Sequence, residues 1–207
     1  MIDIAPASGL KVLTLKFLLA ALVGGSFASG AMAHSFNVTL LLPLSGPDAG
    51  QGRQFLNGFM LATRERDAHP NQESDGHLGG LDVYVTTIDN QSDPGELTRI
   101  INGDDQADIV ALFPSPATAE ILENSFDQSH AALLLAGQNP FSDSSLPGVA
   151  AFSAAYLADY SQQPDQNAAS GYNMARRIDQ AVRSRGGASD IDGLQAIFMA
   201  SADNFNW

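Results

Sequence analysis

The 207-residue sequence contains no cysteine. That absence excludes disulfides, cysteine-ligated zinc or iron–sulfur centres, a thiol nucleophile and a lipid anchor on an N-terminal cysteine. Cations are scarce: ten Lys and Arg stand against 23 Asp and Glu, a formal charge of −13. Nucleic-acid binding needs clustered Lys and Arg to displace counterions from phosphates, so no nucleic-acid partner is expected. No apolar run approaches the roughly 18 residues that cross a bilayer. What is present, 44% hydrophobic and 16% charged residues, is ordinary for a folded protein and argues against wholesale disorder. The length allows one domain or two small ones.

Residues 1–33 read as an export signal. Lys11 and Lys16 precede an apolar run from Phe17 to Val23, and Ala31-Met32-Ala33 supplies the small-x-small pattern of a cleavage site. A buried N-terminal helix is the competing reading; cations in front and small residues behind favour the signal. Cleavage after Ala33 removes Asp3, Lys11 and Lys16, so the mature chain is more acidic still. Such a surface repels anionic headgroups, and a periplasmic protein with no membrane insertion after cleavage is expected.

Phe36 to Leu42 is a mostly apolar run closed by Pro43 and Ser45-Gly46-Pro47, a buried strand followed by a turn-rich loop. From Gln51 to about Ala68, Phe55, Phe59 and Ala62 fall at helical spacing, and His69-Pro70 ends the helix. A polar loop with Gly76, Gly79 and Gly80 leads to a second strand, Leu81 to Ile88. Asp93-Pro94-Gly95-Glu96 carries the N-cap, N1 and N3 residues of a helix start, Leu97, Ile100 and Ile101 form its apolar face, and Gly103 ends it. Asp108 to Phe113 is a third strand. Ser115-Pro116 opens a helix through Phe126, and Ala131 to Leu135 is a fourth strand.

Four β–α units in 100 residues predict an α/β protein, a parallel doubly wound sheet with helices on both faces. Ligands of such sheets bind beyond the carboxyl ends of the strands, which draws attention to Ser45–Gln51, Asp89–Asp93, Pro114–Thr118 and Ala136–Asn139. After Asn139 the pattern changes. Pro140 to Gly148 is a loop, then Phe152–Tyr160, Ala168–Arg183 and Ile191–Phe198 read as helices with no convincing strand between them.

Leu42-Pro43-Leu44-Ser45-Gly46-Pro47, with Ala49, Gly52 and Gly58-Phe59-Met60-Leu61-Ala62, resembles the opening of type I periplasmic binding proteins. The similar branch serves ABC transporters for branched-chain amino acids and amides. Gly79-Gly80, Asp89, Ser115–Thr118, Gly171-Tyr172-Asn173-Met174-Ala175 with Ala181-Val182, and Ala200–Asp203 with Phe205 extend the resemblance in order. Family members have two α/β lobes. Here the matches to the first lobe run to about Gly148 and the next lies near the family's end, with the sequence stopping at Trp207. After the signal peptide over 1–33, the resemblance therefore implies an N-terminal α/β lobe over 34–148, and over 149–207 a helical C-terminal remnant of a truncated second lobe.

The resemblance also implies ligand contacts. Ser115 stands where relatives bind the ligand's α-carboxylate, and Thr118 lies one helical turn on. The unpaired N–H groups of a helix N-terminus there would favour the same anion. Ala136 and Gln138 occupy the loop after the fourth strand, where the family supplies a backbone carbonyl and a Thr side chain; Gln138 departs from that Thr. Gln51 sits where relatives place an aromatic that covers the ligand, a second departure.

Other chemistries have weaker support. Gly50-Gln51-Gly52 opens a helix as a dinucleotide fingerprint would, but Phe55 replaces the third glycine and no phosphate-binding Lys follows. His34, His69, His77 and His130 show no ligand spacing. Ser45 and Ser115 lie in no Gly-x-Ser-x-Gly elbow. Asp104-Asp105 and Asp190/Asp192 lack the calcium-loop pattern and read as solvated helix ends. Tyr156, Tyr160 and Tyr172 at helical spacing read as packing. No enzyme activity, cofactor or metal is expected.

The expected function is reversible capture of a small amino acid or amide for an ABC permease, weakened by the missing wall of the site. Two rivals stand beside it. One is a single-lobe envelope interaction protein like the penicillin-binding-protein activators, which share a Leu-Leu-Pro-Leu-Ser-Gly opening; the other is a non-functional relic.

Overall fold

A computed structural model describes residues 35–65, 67, 73–91, 94–103, 106–113, 125–136 and 147–201. The expected signal sequence, His34, residues 115–124 of the expected helix from Ser115 and residues 140–146 of the expected loop lie outside these residues; Pro147 and Gly148, expected at the end of that loop, instead open a helix. In chain order the elements are β1 (Ser35–Leu42), α1 (Ala49–Arg64), β2 (His77–Leu78), β3 (Leu81–Asp89), α2 (Pro94–Ile101), β4 (Ile109–Leu112), β5 (Ala132–Leu135), α3 (Pro147–Tyr160), α4 (Gln166–Arg185) and α5 (Ile191–Ala200).

The sheet order is β2-β3-β1-β4-β5. β1 lies at its centre, parallel to β3 on one side, with Val38 opposite Val85, and to β4 on the other, with Val38 opposite Ile109. β5 runs parallel to β4. The central strand is buried almost throughout, as its apolar run requires, whereas Tyr84 of β3 is exposed and Val83 beside it is buried. β2 is antiparallel to β3. This two-residue strand was read from the sequence as part of a loop, since two residues carry no periodicity. Gly79 and Gly80 turn the chain with φ of +66° and +85°, the paired left-handed conformation of a tight hairpin turn.

Helices cover both faces, as a doubly wound sheet demands. Phe36, Val38, Leu40 and Leu42 of β1 point to the face where Phe55 and Phe59 of α1 meet Phe152 and Tyr156 of α3, Tyr172 and Ile178 of α4, and Leu194 and Phe198 of α5. Leu41 points the other way, into a smaller core with Ile100 of α2, Val110, Leu112 and Leu133. Each such side chain contributes roughly 1.5–3 kcal/mol of burial. The three helices read from the sequence after residue 148 are present, and they complete the larger core.

Gly58 of α1 and Gly171 of α4 set the closest crossing. A Cβ on Gly58 would fall on the Ala168 carbonyl, and one on Gly171 would fall on the Phe55 carbonyl. Two family-like segments 113 positions apart in sequence are therefore the two sides of one helix contact. α4 is well terminated: Asp165 accepts from the Asn167 and Ala168 N–H groups at 2.8 and 2.9 Å, and Gly186 caps the other end at φ +70°.

Beyond β5 the described sheet has no further strand, and side chains meet its edge. Gln195 of α5 accepts the Leu133 N–H at 2.8 Å, and Arg177 of α4 donates to the Leu135 carbonyl at 2.9 Å.

Candidate ligand site

From β1 the chain crosses to β3 on one side and then returns to β4 on the other, so the order reverses between β1 and β4. At such a switch point the two crossover connections diverge and leave a crevice beyond the carboxyl ends of the strands. The described parts of the loops singled out from the sequence, Ser45–Gln51, Asp89–Gln91 and Ala136, leave this end of the sheet.

Asp89, the last residue of β3, organises the described part. Its Oδ1 accepts the Leu44 N–H at 2.9 Å and the Gln91 N–H at 3.1 Å, while the Asn90 N–H donates to the Leu42 carbonyl at 2.9 Å. One carboxylate thereby ties the loop after β1 to the loop after β3. Gly52 brings the start of α1 against this loop, where a Cβ would fall on the Pro43 carbonyl. Of the two glycines in Gly50-Gln51-Gly52, Gly52 alone makes this close approach of helix to loop, whereas Gly50 faces open space.

Gln51 is exposed in the first turn of α1, and its Nε2 donates to Asp48 Oδ1 at 3.0 Å. Ala136 follows β5, half-buried, with its N–H donating to the Leu112 carbonyl at 3.3 Å. The two lie at the same end of the sheet but two strands apart, roughly 10 Å in spacing. Ser115, Thr118 and Gln138 fall outside the described residues.

Asn90 was overlooked as an individual candidate, although it lies within the Asp89–Asp93 loop. Its Nδ2 is buried and has no hydrogen-bond partner among the described residues. A buried amide donor left unpaired costs about 1–3 kcal/mol, which makes it a group that a ligand oxygen would satisfy. Nothing in the sequence distinguishes this asparagine from any other; the signal is its burial.

The tyrosines are packing groups, as expected. Tyr156 and Tyr172 are buried against Phe152, and Tyr160 stacks near Tyr156. Their hydroxyls are satisfied: Tyr160 donates to the Asn57 carbonyl at 2.9 Å and Tyr172 to Glu65 at 2.7 Å. Burial, reinforced by the Glu65 carboxylate, pushes the Tyr172 phenol up to about 12. No described helix is long and apolar enough to cross a membrane.

No protein-family model matches the sequence, and no curated sequence matches it significantly. Comparison of the fold does find neighbours. One is an ABC transporter solute-binding protein from R. palustris in complex with benzoate, with a TM-score of 0.56 at 15% identity over 79% of this chain and 85% of that one. Another is an ABC transporter substrate-binding protein from Sphaerobacter thermophilus, with a TM-score of 0.55 at 12% identity over 80% and 86%. The chain has the fold of ABC solute-binding proteins. At these identities the likeness speaks for architecture alone.

Proposed function

We propose that this protein is a secreted solute-binding protein, exported by residues 1–33, that captures a small amino acid or amide without chemical conversion and delivers it to an ABC permease. The observation that supports this reading most is the reversal of strand order between β1 and β4, with the Leu44, Asp89 and Ala136 loops gathered at the open end. Ser115 and Thr118 are proposed to hold the ligand's carboxylate, Gln138 and the Ala136 carbonyl its polar groups, and Gln51 to border it. The unpaired Asn90 amide adds a donor near the same end.

The proposed chain organisation is an α/β lobe begun by residues 34–148 and completed by the helices of 149–207, which pack on its sheet.

A thermal-shift screen of the purified protein against free amino acids, their amides, short-chain amines and benzoate tests this. A saturable rise with amino acids or amides, reduced roughly tenfold in affinity by Ser115→Ala, is the expected result. A sharp melt indifferent to the whole panel would overturn it in favour of a protein-docking lobe.

A further inference from the structure

A second place in the molecule combines an apolar cavity with a cation that has no counter-charge among the described residues. Beside the β5 edge lies a cavity of about 140 Å³, walled by Leu133, Leu135, Phe198 and Met199, with Gln195 and Arg177 as its polar members. A cavity of roughly this size accommodates a benzene-sized group.

Arg177 is only 9% exposed. Its Nε–H donates to Ser201 Oγ at 3.0 Å, Nη1 to the Leu135 carbonyl at 2.9 Å and Nη2 to the Phe198 carbonyl at 2.7 Å. All three acceptors are neutral. A guanidinium has five N–H groups, so one on each terminal nitrogen has no acceptor among the described residues. The described ion pairs of arginines, Arg64 with Asp159, Arg183 with Asp179 and Arg185 with Asp190, all sit at the surface on the arginine side. Among the described residues Arg177 is the deeply buried arginine, and it has no anionic partner there, in a chain where acids outnumber bases by more than two to one.

Burying an uncompensated charge is costly, and such groups are ordinarily paired. Desolvation lowers the proton affinity of Arg177, the direction an adjacent anion would reverse. No acidic side chain lines the cavity among the described residues. Hydrogen bonding to Leu135 and Phe198 explains where the side chain is held. It leaves the charge and the two remaining N–H groups unanswered.

We propose that this cavity binds a small monocarboxylate with a branched or single-ring apolar group, its carboxylate on the Arg177 guanidinium and its apolar part against Leu133, Phe198 and Met199. The site is separate from the switch-point crevice, and it selects against α-amino acids because no carboxylate among the described residues lines it to receive an ammonium group. Its ligand class is the des-amino counterpart of the amino acids proposed for the crevice.

Isothermal titration of the purified protein with 4-methylpentanoate, its primary amide and leucine tests the assignment. Binding of the carboxylate at least tenfold tighter than that of the amide is expected, from the loss of a charge-assisted hydrogen bond. Met199 is 72% exposed, so Met199→Trp should fill the mouth of the cavity while leaving the fold intact. That variant, and Arg177→Met if it folds, should abolish carboxylate binding. Ser115→Ala should leave it unchanged, which separates this site from the crevice. Equal affinity for acid and amide, carboxylate binding that survives Met199→Trp, or no heat up to millimolar ligand would each overturn the proposal.

Discussion

Asp89 serves two backbone donors from different loops with one oxygen, Leu44 N–H at 2.9 Å and Gln91 N–H at 3.1 Å. Asp89→Ala strands both donors and should cost about 1–3 kcal/mol, read as a lower urea midpoint with an unchanged slope. Any ligand bound at the crevice should be weakened by the same change, because the loop after β1 loses its brace. Tyr172 gives a pH signature. Its folded pKa of about 12 lies above the ordinary value of 10, so its contribution to stability is complete below pH 10 and is lost as pH rises through 12. Unfolding midpoints measured from pH 8 to 12 should fall over that interval, and Tyr172→Phe should remove most of this alkaline component.

At the scale of elements, the α1–α4 crossing depends on the absence of two Cβ atoms. Gly58→Ala or Gly171→Ala drives a methyl into a backbone carbonyl that cannot move aside, an overpacking cost of about 1–3 kcal/mol or more. Gly50→Ala is the control, since nothing lies within 4 Å of that position and it is helical. It should be neutral or stabilising by up to about 1 kcal/mol. Guanidinium denaturation of the three variants checks the contrast. The same crossing explains the Gly58-Phe59 and Gly171-Tyr172 segments: they carry the packing of the fold and make no claim about a ligand. The motif resemblance accordingly pointed to an architecture more firmly than to a substrate.

For the whole molecule, the larger core draws on β1, α1, α3, α4 and α5 together. A fragment ending at residue 148 would expose Phe36, Phe55 and Phe59 where Phe152, Tyr156, Tyr172 and Phe198 now cover them. It should show no cooperative melt, whereas the chain through residue 207 should unfold in a single transition followed by circular dichroism. A cooperative melt of the fragment would show that the sheet and α1 stand alone.

Strand and helix identity was legible in the sequence because it rests on local pattern. β1 reads as an apolar run since both its faces are covered, and α1 repeats Phe55 and Phe59 at a helical interval. The doubly wound class and the strand-end location of the crevice followed from alternating element order and short connections. The helices after residue 148 were equally legible as helices. Their packing onto the first-lobe sheet, the short β2 hairpin, the unpaired Asn90 amide and the uncompensated Arg177 charge were decided only by tertiary structure. Burial and pairing depend on which distant segments arrive beside a residue, and neither asparagine nor arginine carries that information in its local sequence.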